Sequence, residues 1–172
     1  MRSLIPALLL FAFALFAYPQ QQHTSAVYAI RKVADQSITS STTLTNDTEL
    51  FAPVEANKNY HFRASVPFNL AGVVSGYKFT FASPSGHTNF VCTPLIYNGG
   101  TSTLLTVAPI TTPGTAVAGA LATSGDHYAA WEGVLENGAS AGNINFQFAQ
   151  NTSNGSAITV KRGAILIVMQ VK

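Results

Sequence analysis

The chain has 172 residues, the length of one ordinary domain. Hydrophobic residues make up 47% and charged residues 9%, and 43 residues of Ser, Thr and Asn do the work usually left to charge. Eleven Phe and six Tyr exclude a disordered chain; the scarcity of Glu, Lys, Arg and Leu excludes a helical bundle; nine scattered basic residues against seven acidic ones exclude a basic patch for nucleic acid.

The chain opens with Arg2 and an uncharged apolar run, Leu4–Ala17. Fourteen residues are few for a bilayer core, which takes about 20 in a helix. The run fits the hydrophobic region of a secretory signal, ended by Pro19-Gln20-Gln21-Gln22. Residues 1–22 are therefore expected to be a signal peptide or an N-terminal anchor, the only part to meet a membrane. Residues 23–172 are expected to form a single domain.

From His23 onward the apolar period is two. Strands are predicted at Val27–Val33, Ser37–Leu44 (an edge strand or wall loop) and Glu49–Val54. In Asn59–Val66, Tyr60, Phe62, Ala64 and Val66 alternate with polar residues; in Gly76–Ala82, Tyr77, Phe79 and Phe81 do so. Further strands are predicted at Phe90–Ile96, Thr103–Val107, Val117–Ala122 and Tyr128–Leu135. In Gly142–Asn151, Ile144, Phe146 and Phe148 alternate with Asn143, Asn145 and Gln147. Ala164–Val171 is apolar on both faces, as a strand covered on both sides would be. Asn98-Gly99-Gly100, Pro113-Gly114, Ser124-Gly125-Asp126, Asn137-Gly138 and Asn154-Gly155 supply the turns. About ten short strands with regular turns predict an all-β antiparallel sandwich of jelly-roll type. Local alternation does not set the strand order.

Candidate chemistry is sparse. A single cysteine, Cys92, excludes an intramolecular disulfide and a thiolate metal site, and its apolar neighbourhood reads as core. His23, His61, His87 and His127 lack metal spacing and read as surface or rim residues; no metal or cofactor is expected. Asp126-His127 reads as a turn, and Ser85 near His87 lacks the strand–helix elbow of a hydrolase nucleophile. Glu132 and Glu136, four apart on a strand, lie about 13 Å apart and exceed glycosidase spacing. Asn46-Asp47-Thr48-Glu49, the one dense acidic spot, reads as a turn. Trp131 with Tyr128 is the candidate binding pair: an aromatic platform for a sugar, with core packing of Trp131 as the other reading. No catalytic constellation appears, and the chain is expected not to be an enzyme.

Several segments carry a resemblance. Lys32–Leu44 followed by Asn46-Asp47 and Leu50-Phe51, then Val54-Glu55-Ala56-Asn57 with Tyr60-His61-Phe62, and later Gly133-Val134-Leu135, Gly142-Asn143-Ile144 and Phe146–Asn151, together resemble small structural proteins of tailed bacteriophages and prophages. The resemblance is to the minor-tail or fibre-associated kind, with a C1q/TNF-like jelly roll, and covers roughly residues 27–172. It implies a non-catalytic structural or adhesion role and a homotrimer. The alternative is a secreted carbohydrate-binding module. The expected address is secreted or cell-surface, with a virion as alternative; the expected partners are further copies of the chain, a cell-surface glycan or another virion or surface protein. Near-absence of charge on the strands supports assembly, since little else protects the sheet edges.

Overall fold

The computed structural model describes residues 25–171, so the predicted signal or anchor segment, residues 1–22, lies outside the described residues. The period-two alternation is realised as twelve strands, with no helix among the described residues. They are β1 (Val27–Arg31), β2 (Gln36–Ile38), β3 (Thr45–Val54), β4 (Asn59–Leu70), β5 (Tyr77–Ala82), β6 (Asn89–Asn98), β7 (Thr103–Thr106), β8 (Val117–Gly119), β9 (Gly125–Glu136), β10 (Gly142–Ala149), β11 (Ile158–Val160) and β12 (Ile165–Val171).

All pairings are antiparallel and form two sheets. The large one runs β1-β12-β4-β9-β6-β7, with β11 on the far half of β4 and β2 beside it; the small one runs β3-β10-β5-β8. Four pairs are nested along the chain: β1 with β12, β3 with β10, β4 with β9, and β5 with β8. The first and third lie in the large sheet and the other two in the small one. One long hairpin rolled over on itself gives this order. The β6–β7 hairpin extends the large sheet beyond β9.

Prolines fall where partners change, as a residue without an N–H requires. Pro67, inside the central β4, stands between Ser65, which pairs with β12, and Phe68, which pairs with β11. Pro94 in β6 stands between Cys92, bridged to Ile110, and Leu95, where pairing with β7 begins.

The core lies between the sheets. Phe62, Phe79, Phe81, Ile144, Phe146 and Phe148, all on predicted apolar faces, are fully buried. Phe62 meets Phe81 at 5.0 Å between ring centres, and Phe68 meets Phe79 edge-on at 4.9 Å, so aromatic pairs join the two layers. Cys92 is buried with them, and burial pushes its thiol up to about 12.

One rim is closed by a buried ion pair. Lys32, just past β1, continues the inward side of Tyr28 and Ile30 and is fully buried. Its Nζ lies 3.0 Å from each Asp47 carboxylate oxygen and 3.6 Å from Glu49 Oε1. Asp47 Oδ1 also accepts the backbone N–H groups of Glu49 and Leu50, at 2.9 and 3.0 Å. Glu49 accepts from the backbone of Val33 and Ala34, and those bonds, the Val33 one foremost, hold its carboxyl below the usual range. The acidic spot is therefore the start of an edge strand, anchored across the sheets.

Besides the acidic spot, which lies in a strand and not a turn, three expectations change. The strands number twelve, because β11 was not anticipated. Extended chain at Ser37–Leu44 stops at Ile38, and Ser40 takes a left-handed φ of 53°. Within the single chain no second layer covers the outer face of the C-terminal strand: Leu166 and Val168 are buried, while Ile165 and Val171 are exposed and Ile167 and Met169 half-buried.

Candidate functional site

The outer face of the large sheet is the candidate site, and the register sets its layout. Residues opposite one another across an antiparallel sheet share a face. One row reads Ala29, Ile167, Arg63, Glu132, Thr93, from β1 through β12, β4 and β9 to β6. The next reads Arg31, Ile165, Ser65, Ala130, Leu95. Beyond it lie Pro67, Tyr128, Tyr97 and Leu104. On the other side lie Val27, Met169, His61, Val134 and Val91.

This face is apolar and open. Leu95, Tyr97, Tyr128, Val134, Ile165 and Val171 each keep 36–44% of their surface exposed. Several exposed apolar side chains on one sheet face, on either side of a polar centre, are a surface that an interaction can use. Its centre carries both signs of charge: Glu132 Oε1 lies 3.1 Å from His61 Nε2, and Glu132 Oε2 lies 3.4 Å from an Arg63 guanidinium nitrogen. All three are at or near the surface, where such pairs contribute little stability and serve orientation. Small side chains at Ser65 and Ala130 leave a depression of about 460 Å³, lined also by Arg63, Thr93, Leu95, Glu132 and Ile167, with Trp131 reaching its floor from the core side. Tyr128 Oη donates to Ser65 Oγ at 2.8 Å, which ties the ring to one residue of the lining; the ring itself is not part of it.

The predicted binding pair is not brought together. Trp131 and Tyr128 are three apart on β9, so the pleat sends them to opposite faces. Trp131 is 2% exposed, edge-on to Phe81 at 5.6 Å, and is a core residue; Tyr128 stands on the outer face. Of the two fates open to Trp131, core packing is the one realised, and parity alone separates the two rings.

The remaining candidates scatter. His61 lies on the outer face, but His127, read as a surface or rim residue, is 4% exposed and inside. It begins the inward side of β9, on the parity of Ala129 and Trp131, so the alternation overrides its polarity. Ser85 is exposed; the hydroxyl nearest His87 is Ser83 Oγ, 3.5 Å from Nδ1. Asp126 accepts from the Asn69 side-chain amide at 2.8 Å and is tied to β4. Glu132 pairs with His61 and Arg63, and Glu136 accepts from Asn89, so both belong to outer-face contacts. Among the described residues no three of His, Cys, Asp and Glu gather as metal ligands. The buried Cys92 thiol, held protonated, is no nucleophile.

No family model matches the chain, and no curated protein is detectably similar to it. Among solved structures it is similar to a chain of the infectious bursal disease virus Gx strain, at 13% identity and a TM-score of 0.22, over 86% of this chain and 36% of that one. The Gt strain of the same virus gives 15% identity and a TM-score of 0.23, over 96% and 42%. A VP2 subviral particle of that virus gives 14% and 0.21, over 96% and 42%. The chain thus spans about two fifths of the length of these viral chains. A likeness this loose settles neither ancestry nor role, and neither a phage family nor the C1q/TNF family is shown.

Proposed function

We propose that the protein is a non-catalytic structural or adhesion subunit that works by assembling with further copies of itself. The observation that carries this reading is the open apolar face of the large sheet, built from β12, β4, β9 and β6. The nested strand pairs are read as a jelly roll, with the β6–β7 hairpin and the short β2 and β11 added to its eight strands. A trimer is the expected stoichiometry, by resemblance to that fold. Arg63 and Glu132 side by side give the face both signs of charge, so either sign on a neighbouring copy can find a partner there.

Ile167 tests the reading. It faces outward opposite Arg63, so an aspartate there gains a cationic neighbour and leaves the core untouched. Ile167→Asp is expected to yield a folded monomer, seen as an unchanged far-ultraviolet spectrum with a reduced mass in light scattering. Wild-type protein that is monomeric at micromolar concentration would remove the basis for assembly. A carbohydrate would then be the better reading, with the exposed ring of Tyr128 as its stacking surface, since Trp131 reaches the depression only from the core and is 2% exposed.

The address follows from the N-terminal segment: secretion or the cell surface, with a virion as the alternative. The mature chain is expected to begin between Tyr18 and His23. Sequencing the N-terminus of protein from its native source checks this, and an intact Met1 on assembled protein would favour an anchor.

A further inference from the structure

We propose that His127 is an acid-released clasp for the β6–β7 hairpin: a proton taken from solvent onto Nδ1 removes the lone pair to which the Gly99 N–H donates, and the hairpin tip comes away from β9. The Gly99 N–H meets His127 Nδ1 at 3.1 Å. In the neutral ring that bond assigns the remaining proton to Nε2, which is buried and has no partner. Protonation therefore sets Nδ1–H against the Gly99 N–H, two donors facing each other, and places a charge against the Phe68 ring, whose centre lies 5.3 Å from the imidazole.

The tip is built for close seating. A Cβ on Gly99 would lie 2.0 Å from the Asp126 carbonyl oxygen, and one on Gly100 would lie 2.3 Å from Thr123 Oγ1. Besides His127, side-chain holding at the tip comes from Asn98, whose Oδ1 accepts from Thr123 Oγ1 at 2.8 Å and from the Gly100 N–H at 3.2 Å. Between the hairpin and the 120–122 segment lies an open groove of about 330 Å³, lined by Asn98, Thr103, Leu105 and Leu121, so the hairpin is not packed tightly along that side.

The surroundings of the ring are neutral on every packed element except its own. Phe68 comes from β4, Asn98 and Gly99 from the hairpin and Thr123 from the preceding loop; Tyr77, from the small sheet, packs at a tilt against Phe68, 6.1 Å between ring centres. Among the described residues Asp126 is the one charge acting on His127, and its carboxylate is held by Asn69. Burial depresses the protonation of His127 below the ordinary histidine value, against the Thr123 carbonyl and the Asp126 charge. A depressed folded value means that the clasp's stability is present above about pH 6.5 and lost as pH falls through the folded value. Tyr97 and Leu104 ride on this hairpin; any effect on assembly rests on the function proposed above, whereas the clasp itself does not.

The test is amide exchange and ¹⁵N side-chain titration of the full chain between pH 7.5 and 5. Protection at Gly99 and in β7 is expected to fall by about tenfold or more as His127 titrates, with Phe62 and Phe146 amides unchanged. His127→Asn, whose Oδ1 can accept from Gly99 without titrating, should hold protection constant over the same range. Protection that does not change in the wild type, or that still falls with pH in His127→Asn, overturns the proposal. If that variant does not fold, the wild-type ring decides: titration in step with Gly99 supports the clasp, and a ring that stays neutral until global unfolding overturns it.

Discussion

Replacing Lys32 with methionine should destabilise the fold by about 3–5 kcal/mol, because it strands a buried carboxylate. Lys32 and Asp47 are both fully buried, and Glu49 stands 3.6 Å from the same ammonium. Without the lysine, two carboxylates face each other with one of them out of water. The loss is a large share of the roughly 5–15 kcal/mol that holds a domain together. It should lower the melting temperature by about 6–20 °C, at about 2–4 °C per kcal/mol for a domain of this size. Two further results would identify the cause. The deficit should shrink as pH falls toward about 4, where protonation relieves the carboxylates. Lys32→Met combined with Asp47→Leu should recover much of the loss, since an apolar pair can replace a buried ion pair at little net cost. Recovery should be incomplete, because Asp47 also accepts the Leu50 N–H, which is then left without an acceptor. A Lys32→Met protein with a wild-type urea midpoint at pH 7 would mean that the pair is not buried as described.

That interaction marks the limit of what a sequence displays. The strands were legible because period-two alternation is a local property: Tyr77, Phe79 and Phe81, and Ile144, Phe146 and Phe148, face the core whatever the strand order. Even Lys32 stands on the inward parity of Tyr28 and Ile30, yet a lysine there reads as exposed until its acid is known. Asp47 lies 15 residues away in the other sheet, and no local pattern links them. His127 was misjudged for the same reason, since its polarity suggested a rim and its parity on β9 put it inside. Strand β11 escaped notice because three residues with two apolar positions are too few to show a period. The candidate face was half legible. Apolar residues on both sides of Ala164–Val171 pointed to a second covered face, but the neighbours that make it a surface come from register with β4 and β9, which only folding sets.

Truncating Phe146 tests the same parity argument from the inside. Its side chain is fully buried on β10, 5.5 Å from Phe79 and 5.3 Å from Phe81 within the small sheet, and 6.3 Å from Trp131 across the sandwich. Removing it deletes the transfer energy of a large ring and leaves a cavity where two layers meet. Phe146→Ala should therefore cost about 3–5 kcal/mol. The neighbouring rings are locked by one another and by the sheets, so little collapse can reduce that figure. Phe51 supplies the control. It pairs with Asn145 on the outer side of the same sheet and is 41% exposed, so Phe51→Ala should change stability far less, by about 0.5 kcal/mol. Adjacent positions, Asn145 and Phe146, thus divide a surface from a core by the pleat alone. Thermal melts of both variants decide the matter: a Phe146→Ala protein that melts with the wild type, or a Phe51→Ala protein that loses as much as Phe146→Ala, would show the small sheet turned over, with its aromatic face outward.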